Sequence, residues 1–374
     1  MTIYVDVSAA VHGKAGLSRY AESLVTALAP LLGERLALFQ NSLGRLGPLS
    51  GWPTARVAGV PWGYKPWRGL VLARHLARWP MRRLLPAGAE LFHATEHLLP
   101  PLGELPTVLT VHDLIFERFP AYHKRSNYLY LGWAMPLFCR RARAVIAISE
   151  NTKQDLAERY RLPPDKISVI PEAAAPHFVL QPAEVIAEAR ARYGLPERYA
   201  LAVGTLEPRK NLARLVDACG PLFDQGLLDA LVLVGSRGWL YEGFFQHLEA
   251  SPWRERVILP GYVRDQDLPA VYGGALVTAQ PSLYEGFGLP VLEAMACGSP
   301  VCASATSSLP EVGGDAALYF DPESVEEMTE ALRAVVDDGQ RQRQMREAGL
   351  ARARQFTWAE TARQTAALYE RLLG

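Results

Sequence analysis

The sequence has few cysteines, no long apolar run and no net charge. Its four cysteines form no Cys-x-x-Cys pair, which excludes the usual zinc-binding spacings, so we expect reduced and mostly buried thiols. No stretch reaches the roughly 18 apolar residues that a membrane span needs. The opening residues, Met-Thr-Ile-Tyr-Val-Asp-Val, predict a strand and lack the features of a signal peptide. We therefore expect a cytoplasmic protein whose contact with a membrane is at most peripheral, on its inner face.

Basic and acidic residues balance over the chain but not within its halves. Residues 1–178 hold 21 Lys and Arg against 13 Asp and Glu, so this half carries +8 and the remainder carries −8. A basic half indicates an anionic partner such as a membrane or a nucleic acid, although drift in surface charge gives the same split. Nucleic acid is the weaker interpretation, because no nucleic-acid-binding motif accompanies the basic residues.

Short β-branched runs alternate with longer helical patterns along the chain. The predicted strands cover residues 3–7, 36–39, 91–93, 107–111, 144–148, 200–203, 230–234, 257–259, 276–279, 301–303 and 318–320. The predicted helices include residues 17–31, 67–85, 122–141, 151–160, 182–193 and 212–219. The alternation predicts an α/β fold with two Rossmann-like, doubly wound parallel sheets, separated near residues 171–183. Ligands are expected at the carboxyl ends of the strands, in a cleft between the two domains.

One predicted strand-to-helix turn carries two adjacent cations. Gly204 ends the strand, and Arg209 and Lys210 precede a helix that we expect to begin at about Asn211, a good cap residue. Two fixed charges beside a helix N-terminus suit a diphosphate. A solvated pair of loop cations would give the same sequence, so the turn alone leaves both interpretations open.

A second turn combines a glycine-bearing loop with two glutamates. Glu285 lies in the loop, and Glu293 lies one turn into the following helix. The amides of Phe287, Gly288 and Leu289 can point at an anion, because glycine lets the backbone approach it closely. Carboxylates accept hydrogen bonds and so suit hydroxyl groups rather than phosphate. The combination is typical of a nucleotide-sugar site, although a first-turn glutamate can also serve the helix dipole alone.

The spacing of Glu285 and Glu293 matches the E-x7-E motif, and residues 281–298 resemble glycosyltransferase family 4 almost residue for residue. Residues 204–211, 309–322 and 356–362 resemble other motifs of that family, in the same order. The resemblance implies the GT-B architecture, with Rossmann-like domains facing across a cleft. It implies an acceptor-binding domain over 1–175, a nucleotide-sugar-binding domain over 176–355, and a helix over 356–374 that crosses back to the first domain.

The resemblance also assigns roles by position. Arg209 and Lys210 would hold the diphosphate, Glu293 the ribose hydroxyls and Glu285 the hydroxyls of the transferred sugar. The base would rest on residues 261–264, mostly through backbone contacts. The implied donor-binding set is Gly16, Gly204, Arg209, Lys210, Val263, Glu285, Gly286, Phe287, Gly288, Leu289 and Glu293. The implied catalytic set is His112, Glu285, Arg209 and Lys210.

The first half carries fewer such signals. His112 follows the predicted strand 107–111 and resembles the family histidine near the sugar and the acceptor, although a capped structural histidine is the alternative. The loop over 11–17 resembles the family's glycine loop beside the diphosphate but lacks the paired glycines of many members, so the resemblance assigns a role only to Gly16. It also lacks G-x-G-x-x-G, which counts against a nicotinamide enzyme. Glu172 stands after Pro171 where the family usually has Asn.

The mechanism is expected to follow the family, which retains anomeric configuration and needs no metal or other cofactor. Cationic side chains and a helix end can stabilise the departing diphosphate instead. We hypothesise same-face attack, in which the acceptor hydroxyl enters beside the departing phosphate and gives it the proton.

The segment over 61–85 is basic and aromatic, with six Lys or Arg and no acid. This composition favours a helix lying on an anionic membrane, although a solvated helix that covers the core is the alternative. The predicted membrane-contact residues are Lys65, Trp67, Arg68 and Arg74.

The function predicted from this sequence is hexose transfer, with mannose from GDP-mannose as the best guess. Mannose is favoured because residues 309–317 resemble the mannosyltransferase branch of polysaccharide and O-antigen assembly. The acceptor would be a saccharide, lipid-linked if the membrane interpretation holds. Three alternatives stay open: a UDP-sugar donor, a non-catalytic nucleotide-sugar-binding protein, and a phosphorylase. A phosphorylase would need a lysine for pyridoxal phosphate, and none of the six lysines has an obvious claim.

Overall fold

The computed structural model describes residues 2–13, 15–42, 56–122 and 124–374. The chain divides into two compact units. The first unit comprises Met1–Pro120, Lys124–Glu172 and Thr357–Gly374, and the second comprises Ala121–His123 and Ala173–Phe356. The last helix therefore belongs to the first unit, although it follows the second unit in the sequence.

Each unit contains one parallel sheet. The first sheet has strands β1 (Thr2–Asp6), β2 (Leu36–Asn41), β3 (Val57–Val60), β4 (Ala89–Ala94), β5 (Thr107–Val111), β6 (Ala144–Ala147) and β7 (Ile167–Val169). The second has β8 (Tyr199–Val203), β9 (Ala230–Val234), β10 (Val257–Ile258), β11 (Val277–Gln280), β12 (Val301–Ser304) and β13 (Ala317–Phe320). Their spatial orders are β3-β2-β1-β4-β5-β6-β7 and β10-β9-β8-β11-β12-β13. Both orders reverse at the first strand, which confirms the predicted α/β fold with two doubly wound sheets.

Helices flank the strands in both units. They are α1 (Ser8–Val11), α2 (Ala15–Leu32), α3 (Tyr64–Leu76), α4 (Ile115–Arg118), α5 (Arg125–Arg141), α6 (Glu150–Tyr160), α7 (Ala183–Tyr193), α8 (Leu212–Asp224), α9 (Glu242–Ala250), α10 (Leu268–Gly273), α11 (Leu289–Ala296), α12 (Leu309–Gly313), α13 (Val325–Val336), α14 (Gly339–Ala353) and α15 (Trp358–Leu373). In the described part of the chain, no helix has the length and apolar character that crossing a membrane requires.

The strands are buried on both faces, as parallel sheets require. Every residue of β1, β5 and β9 is buried. The sequence of β9, Ala-Leu-Val-Leu-Val, therefore shows no alternation between polar and apolar residues. Each fully buried Leu, Val or Ile side chain stabilises the folded protein by about 1.5–3 kcal/mol relative to the exposed side chain. The four cysteines are buried and unpaired, as the sequence predicts.

The last helix, α15, is an integral part of the first unit. It packs against α2. The Tyr369 side chain is fully buried, and its hydroxyl lies 2.5 Å from Nδ1 of His93. The Thr361 hydroxyl donates to the carbonyl oxygen of Pro171 at 2.8 Å. These contacts join the end of the chain to β4 and to the segment after β7.

The helix predicted over 67–85 is wrong in its extent, because α3 ends at Leu76. Arg78 has a left-handed φ of 53°, and Pro80 follows, so the helix cannot continue through this segment. The prediction that Trp67 contacts a membrane is also wrong. Its side chain is only 1% exposed and packs 6.3 Å from the ring of Phe39, inside the core of the first unit.

Candidate active site

The loop after β8 places two cations at the carboxyl end of the second sheet. Gly204 has a φ of 151°, and a Cβ there would lie 3.2 Å from Cε of Lys210, so glycine makes room for the lysine. Arg209 and Lys210 lie in a single 3-10 turn, Pro208–Lys210. Lys210 is buried, which is unusual for a lysine without a partner.

The helix α8 begins at Leu212, so Asn211 stands at the predicted N-cap position, although its side chain makes no capping hydrogen bond. Its side-chain amide instead donates to the carbonyl oxygens of Pro281 at 3.1 Å and Pro322 at 2.7 Å. These bonds tie the loop after β8 to the loops after β11 and β13. The asparagine therefore fixes the loops with respect to each other.

Glu285 is the centre of the cluster formed by these loops. Its Oε1 accepts hydrogen bonds from Lys210 Nζ at 2.6 Å, Ser282 Oγ at 2.6 Å and Gln280 Nε2 at 2.8 Å. Its Oε2 pairs with Arg209 at 2.8 Å. Burial alone would raise the pKa of Glu285, but the charges of Arg209 and Lys210 and these hydrogen bonds hold it far below its ordinary value. The carboxylate is therefore ionised at any physiological pH.

The two cations are already paired within the protein. Arg209 contacts both Glu285 and Glu207, and it also donates to the carbonyl oxygen of Tyr284 at 2.6 Å. Two carboxylates thus offset the charges of Arg209 and Lys210. The sequence places Glu285 and the two cations in separate roles, whereas the structure joins them in one buried cluster.

The loop after β11 leads into α11, with Gly286 following Glu285. Gly288 has a φ of 116°, and a Cβ there would lie 2.8 Å from Cδ2 of Leu309. The Ser308 hydroxyl donates to the carbonyl oxygens of Glu285 at 2.9 Å and Phe287 at 2.6 Å. These contacts fix the loop in its turned shape. The amides of Phe287, Gly288 and Leu289 meet no acceptor among the described residues, as expected where a helix begins. They form a place where an anion can bind.

Glu293 lies on α11 and is only 4% exposed. Its Oε2 accepts a hydrogen bond from the hydroxyl of Tyr272 at 3.0 Å. The tyrosine belongs to α10, so this contact orients the carboxylate from a neighbouring helix. The two glutamates of the E-x7-E motif therefore have different surroundings: cations around Glu285 and a tyrosine hydroxyl at Glu293.

The segment predicted to hold the base follows β10. Val263 is buried, whereas Tyr262 is 84% exposed. In the sheet, β10 is two strands from β8, which corresponds to about 10 Å at roughly 4.8 Å per strand. A nucleotide lying along the strand ends can span this distance.

In the first unit, His112 follows β5 and is held by two acceptors. Its Nδ1 lies 2.9 Å from Oε1 of Glu172, and its Nε2 lies 2.9 Å from the carbonyl oxygen of Thr95. An acceptor at each nitrogen favours a ring that carries both protons. Burial by itself would lower the pKa of His112, but the hydrogen bond and charge of Glu172 raise it above the ordinary value. The two acceptors therefore favour the imidazolium form of this buried histidine.

A second buried histidine lies nearby and is neutral. His93 contacts the Tyr369 hydroxyl at 2.5 Å and the Thr110 hydroxyl at 2.7 Å. Burial, with the charge of His112 acting in the same direction, lowers the pKa of His93 to about 3. Tyr20 completes the network, because its hydroxyl lies 3.1 Å from that of Thr110 and its ring lies edge-on 4.7 Å from His112.

The predicted loop over 11–17 is shorter in the structure. The helix α1 ends at Val11, and α2 begins at Ala15, so Gly16 lies in the first turn of α2 rather than in a loop. The space around its α-carbon is open. Lys14 lies outside the described residues.

Within the described ranges, no three His, Cys, Asp or Glu side chains lie close enough to share a metal ion. The sequence Asp-Gln-Asp at 265–267 has the spacing of an Asp-x-Asp motif. However, Oδ2 of Asp267 accepts hydrogen bonds from Tyr193 at 2.6 Å, Arg264 at 2.8 Å and Arg192 at 2.9 Å. This carboxylate therefore joins α7 to the start of α10.

Fold and site together define a glycosyltransferase with two Rossmann-like units, and comparisons with known proteins agree. The family described as glycosyltransferase family 4 matches residues 15–176, and glycosyl transferases group 1 matches residues 185–352. O-antigen chain mannosyltransferase B of Escherichia coli is 34% identical over 286 residues, which cover 75% of this chain and 74% of the relative. The chain belongs to glycosyltransferase family 4, as the sequence motifs predict.

Two further comparisons bear on length and fold. The serotype-specific mannosyltransferase WbdA of Escherichia coli is 32% identical over 73% of this chain, which spans 34% of that longer protein. The structure of sucrose-phosphate synthase from Thermosynechococcus elongatus has a TM-score of 0.77 at 22% identity, covering 100% of this chain and 99% of that one. The Anabaena protein Alr3699/HepE, solved in complex with UDP-glucose, has a TM-score of 0.73 at 18% identity, covering 99% and 100%. These structures confirm the GT-B fold.

Proposed function

We propose that this glycosyltransferase transfers mannose from GDP-mannose to a saccharide acceptor, with retention of anomeric configuration. Support for mannose comes from relatives named as mannosyltransferases, of which the one described above is 34% identical over 75% of this chain. The observation that carries the donor site is the buried cluster of Glu285, Arg209 and Lys210 beside the first amides of α11.

The donor diphosphate binds between the two cations and the start of α11. Arg209 and Lys210 supply full positive charges, and the amides of residues 287–289 supply hydrogen-bond donors. Glu285 holds both cations at fixed positions, so little reorganisation is needed when the phosphate charge develops. Its carboxylate also accepts from a hydroxyl of the transferred sugar.

The nucleoside part extends toward β10. Glu293 accepts hydrogen bonds from the ribose hydroxyls, while the Tyr272 hydroxyl keeps its carboxylate in place. The base lies against residues 261–264, including the buried Val263.

Transfer proceeds on one face of the sugar. The bond between the anomeric carbon and the diphosphate oxygen breaks, and a bond to the acceptor oxygen forms on the same side. The acceptor proton goes to the departing phosphate. Arg209 and Lys210 stabilise the phosphate charge, so transfer continues in excess EDTA.

His112 acts as a fixed positive charge rather than as a base. Both of its nitrogens already donate, to Glu172 and to Thr95. A ring in this state has no lone pair with which to accept the acceptor proton, which agrees with phosphate as the proton acceptor.

The alternative donor is a UDP-sugar, and a thermal-shift screen separates the two. A ligand that binds the folded protein at 100 times its Kd raises stability by about 2.7 kcal/mol. We expect GDP and GDP-mannose to raise Tm, and UDP, UDP-glucose and ADP to leave it unchanged. If only the UDP ligands raised Tm, the donor would be a UDP-sugar and not GDP-mannose.

The acceptor is proposed to be lipid-linked, because the first unit exposes aromatic and apolar side chains beside its basic helix. Four of them lie on or just after α3 and on α5: Leu76, Trp79, Leu129 and Trp133, with exposures of 63%, 65%, 51% and 72%. The two helices are neighbours, since Arg68 donates to Asn127 at 3.0 Å. Exposed tryptophans among Lys and Arg are typical of a surface that rests on anionic lipid.

Vesicle sedimentation tests this surface. With vesicles containing phosphatidylglycerol, we expect Trp79→Ser combined with Trp133→Ser to lower binding several-fold. The matched control is Leu240→Ser, because Leu240 is 51% exposed in the second unit. Equal binding by the double variant, the control and the wild type would exclude this surface as the membrane contact.

A further inference from the structure

A large basic cavity lies in the first unit at the edge opposite His112. Its volume is about 850 Å³, and it is lined at the starts of three strands by Thr107, Ala144 and Ser168. His112 follows the other end of β5, and a five-residue strand is about 16 Å long. The cavity is therefore separate from the histidine site.

Basic residues dominate the lining of this cavity. Seven cations contribute to it: Arg74, Arg78, Arg140, Arg141, Arg143, Lys166 and Arg371. Only two acids do, Glu104 and Asp165, which leaves a net charge of +5. None of these seven cations lies within 4.0 Å of a carboxylate oxygen in the described part of the chain.

Several of the cations are held by uncharged partners. Lys166 donates to the carbonyl oxygen of Arg140 at 2.8 Å, and Arg371 donates to the Ser168 hydroxyl at 3.4 Å. The guanidinium of Arg74 lies 4.3 Å from the ring centroid of Trp79. These contacts position the side chains without offsetting their charge. Burial lowers the pKa of Lys166, and the nearby Arg143 acts in the same direction, as expected where like charges are gathered.

The helix dipoles explain only part of this charge. The C-terminal ends of α3, α5 and α15 meet the cavity, and basic residues there are stabilised by the partial negative charge of a helix end. Each such end is equivalent to about −0.5 charge, so three ends offset about a third of the net +5. Arg143 lies outside the helices, directly before β6, and Lys166 ends the short 3-10 turn Pro164–Lys166, directly before β7.

We infer that this cavity binds a compact anion carrying two or more phosphate groups, at a site distinct from the donor site. Its volume is within the range of small-ligand pockets, about 300–1,000 Å³. Arginine guanidinium groups suit phosphate because they donate pairs of hydrogen bonds in a plane. The phosphates belong either to a soluble polyphosphorylated compound or to lipid headgroups.

Calorimetric titration of the full chain with tripolyphosphate tests the soluble source. The test variant is Arg141→Glu combined with Arg143→Glu, and the control is Arg125→Glu, which alters an exposed arginine at the opposite end of α5. All three proteins retain the loops of the second unit, so the difference between them reports the cavity. We expect the double variant to bind tripolyphosphate at least tenfold more weakly than the wild type and the control.

Sedimentation with phosphatidylglycerol vesicles tests the lipid source in the same three proteins. Loss of vesicle binding by the double variant, with unchanged tripolyphosphate binding, would assign the phosphates to lipid headgroups. Unchanged binding in both assays would overturn the inference. Thermal melting checks that each variant is folded. If the glutamate variant unfolds, Arg141→Gln combined with Arg143→Gln replaces it, because glutamine removes the positive charge without adding a negative one.

Discussion

Glu285 and His112 carry opposite charges, but each is a buried side chain surrounded by partners of the complementary hydrogen-bonding type. Glu285 is a buried anion surrounded by donors, whereas His112 is a buried cation between two acceptors. Both lie at the carboxyl ends of strands, and both are less than 10% exposed. In each case the ionised state is kept because charged or polar partners offset the cost of burial.

The difference lies in where the partners come from. Arg209, Lys210 and Gln280 reach Glu285 from the ends of β8 and β11, which are neighbours where the strand order of the second sheet reverses. Glu172 reaches His112 from beyond β7, two strands away from β5. The partners of Glu285 thus come from the two strands where the order reverses, which is where doubly wound sheets bind ligands. The partner of His112 comes from farther along the sheet edge.

Substituting Lys210, one of the two cations that contact Glu285, should have the largest effect on the transfer rate. In Lys210→Ala, Glu285 loses a partner and the departing diphosphate loses a full charge. We expect kcat to fall about 100- to 1,000-fold, as for other preorganised donors. The assay is release of nucleotide from the sugar donor, with Lys153→Ala as the control. A kcat within twofold of wild type would show that Lys210 does not act on the leaving group.

Glu293→Ala should have a smaller effect, which is a loss of affinity for GDP. Losing hydrogen bonds to a charged group costs about 1.5–3 kcal/mol, so GDP affinity should fall about ten- to a hundredfold. Calorimetric titration measures this, and melting temperature reports any loss of fold. GDP binding equal to that of wild type would remove the ribose role from Glu293.

Glu172→Gln should have the smallest effect, and it should depend on pH. The folded pKa of His112 is raised above its ordinary 6.5, so the stabilisation is fully present below pH 6.5 and is lost as pH rises through the folded value. We expect the variant to be less stable than wild type by about 1.5 kcal/mol at pH 6, with the difference shrinking as the pH rises.

Urea denaturation across the pH range measures this difference, with Glu188→Gln, an exposed glutamate of α7, as the control. Parallel stability curves for Glu172→Gln and wild type would show that His112 is not held as an imidazolium by Glu172.

Most of the second sheet could be predicted from its sequence. Five of its six strands have four or five mostly apolar residues, and the loop after β11 has glycines followed by a helix start. The sequence patterns do not predict β3 and β7 of the first sheet. The sequence of β3, Val-Ala-Gly-Val, contains a glycine, and β7 has only three residues.

The partner of His112 follows from β7, which the sequence does not predict. A strand over residues 167–169 places Glu172 at the same sheet edge as His112, because parallel strands end on one side. The sequence also indicates that Glu285 lies near Arg209 and Lys210, because their loops follow β8 and β11, the two strands where the order of the second sheet reverses. The contact of Tyr272 with Glu293 has no signal in the sequence, because it depends on how α10 packs against α11.

The transfer rate of Glu285→Gln at saturating donor tests most directly whether sugar transfer takes place at the cluster around Glu285. Glutamine keeps the shape of the side chain but removes the charge that positions Arg209 and Lys210. We expect kcat to fall at least about a hundredfold. Full turnover by this variant would show that sugar transfer does not depend on this cluster.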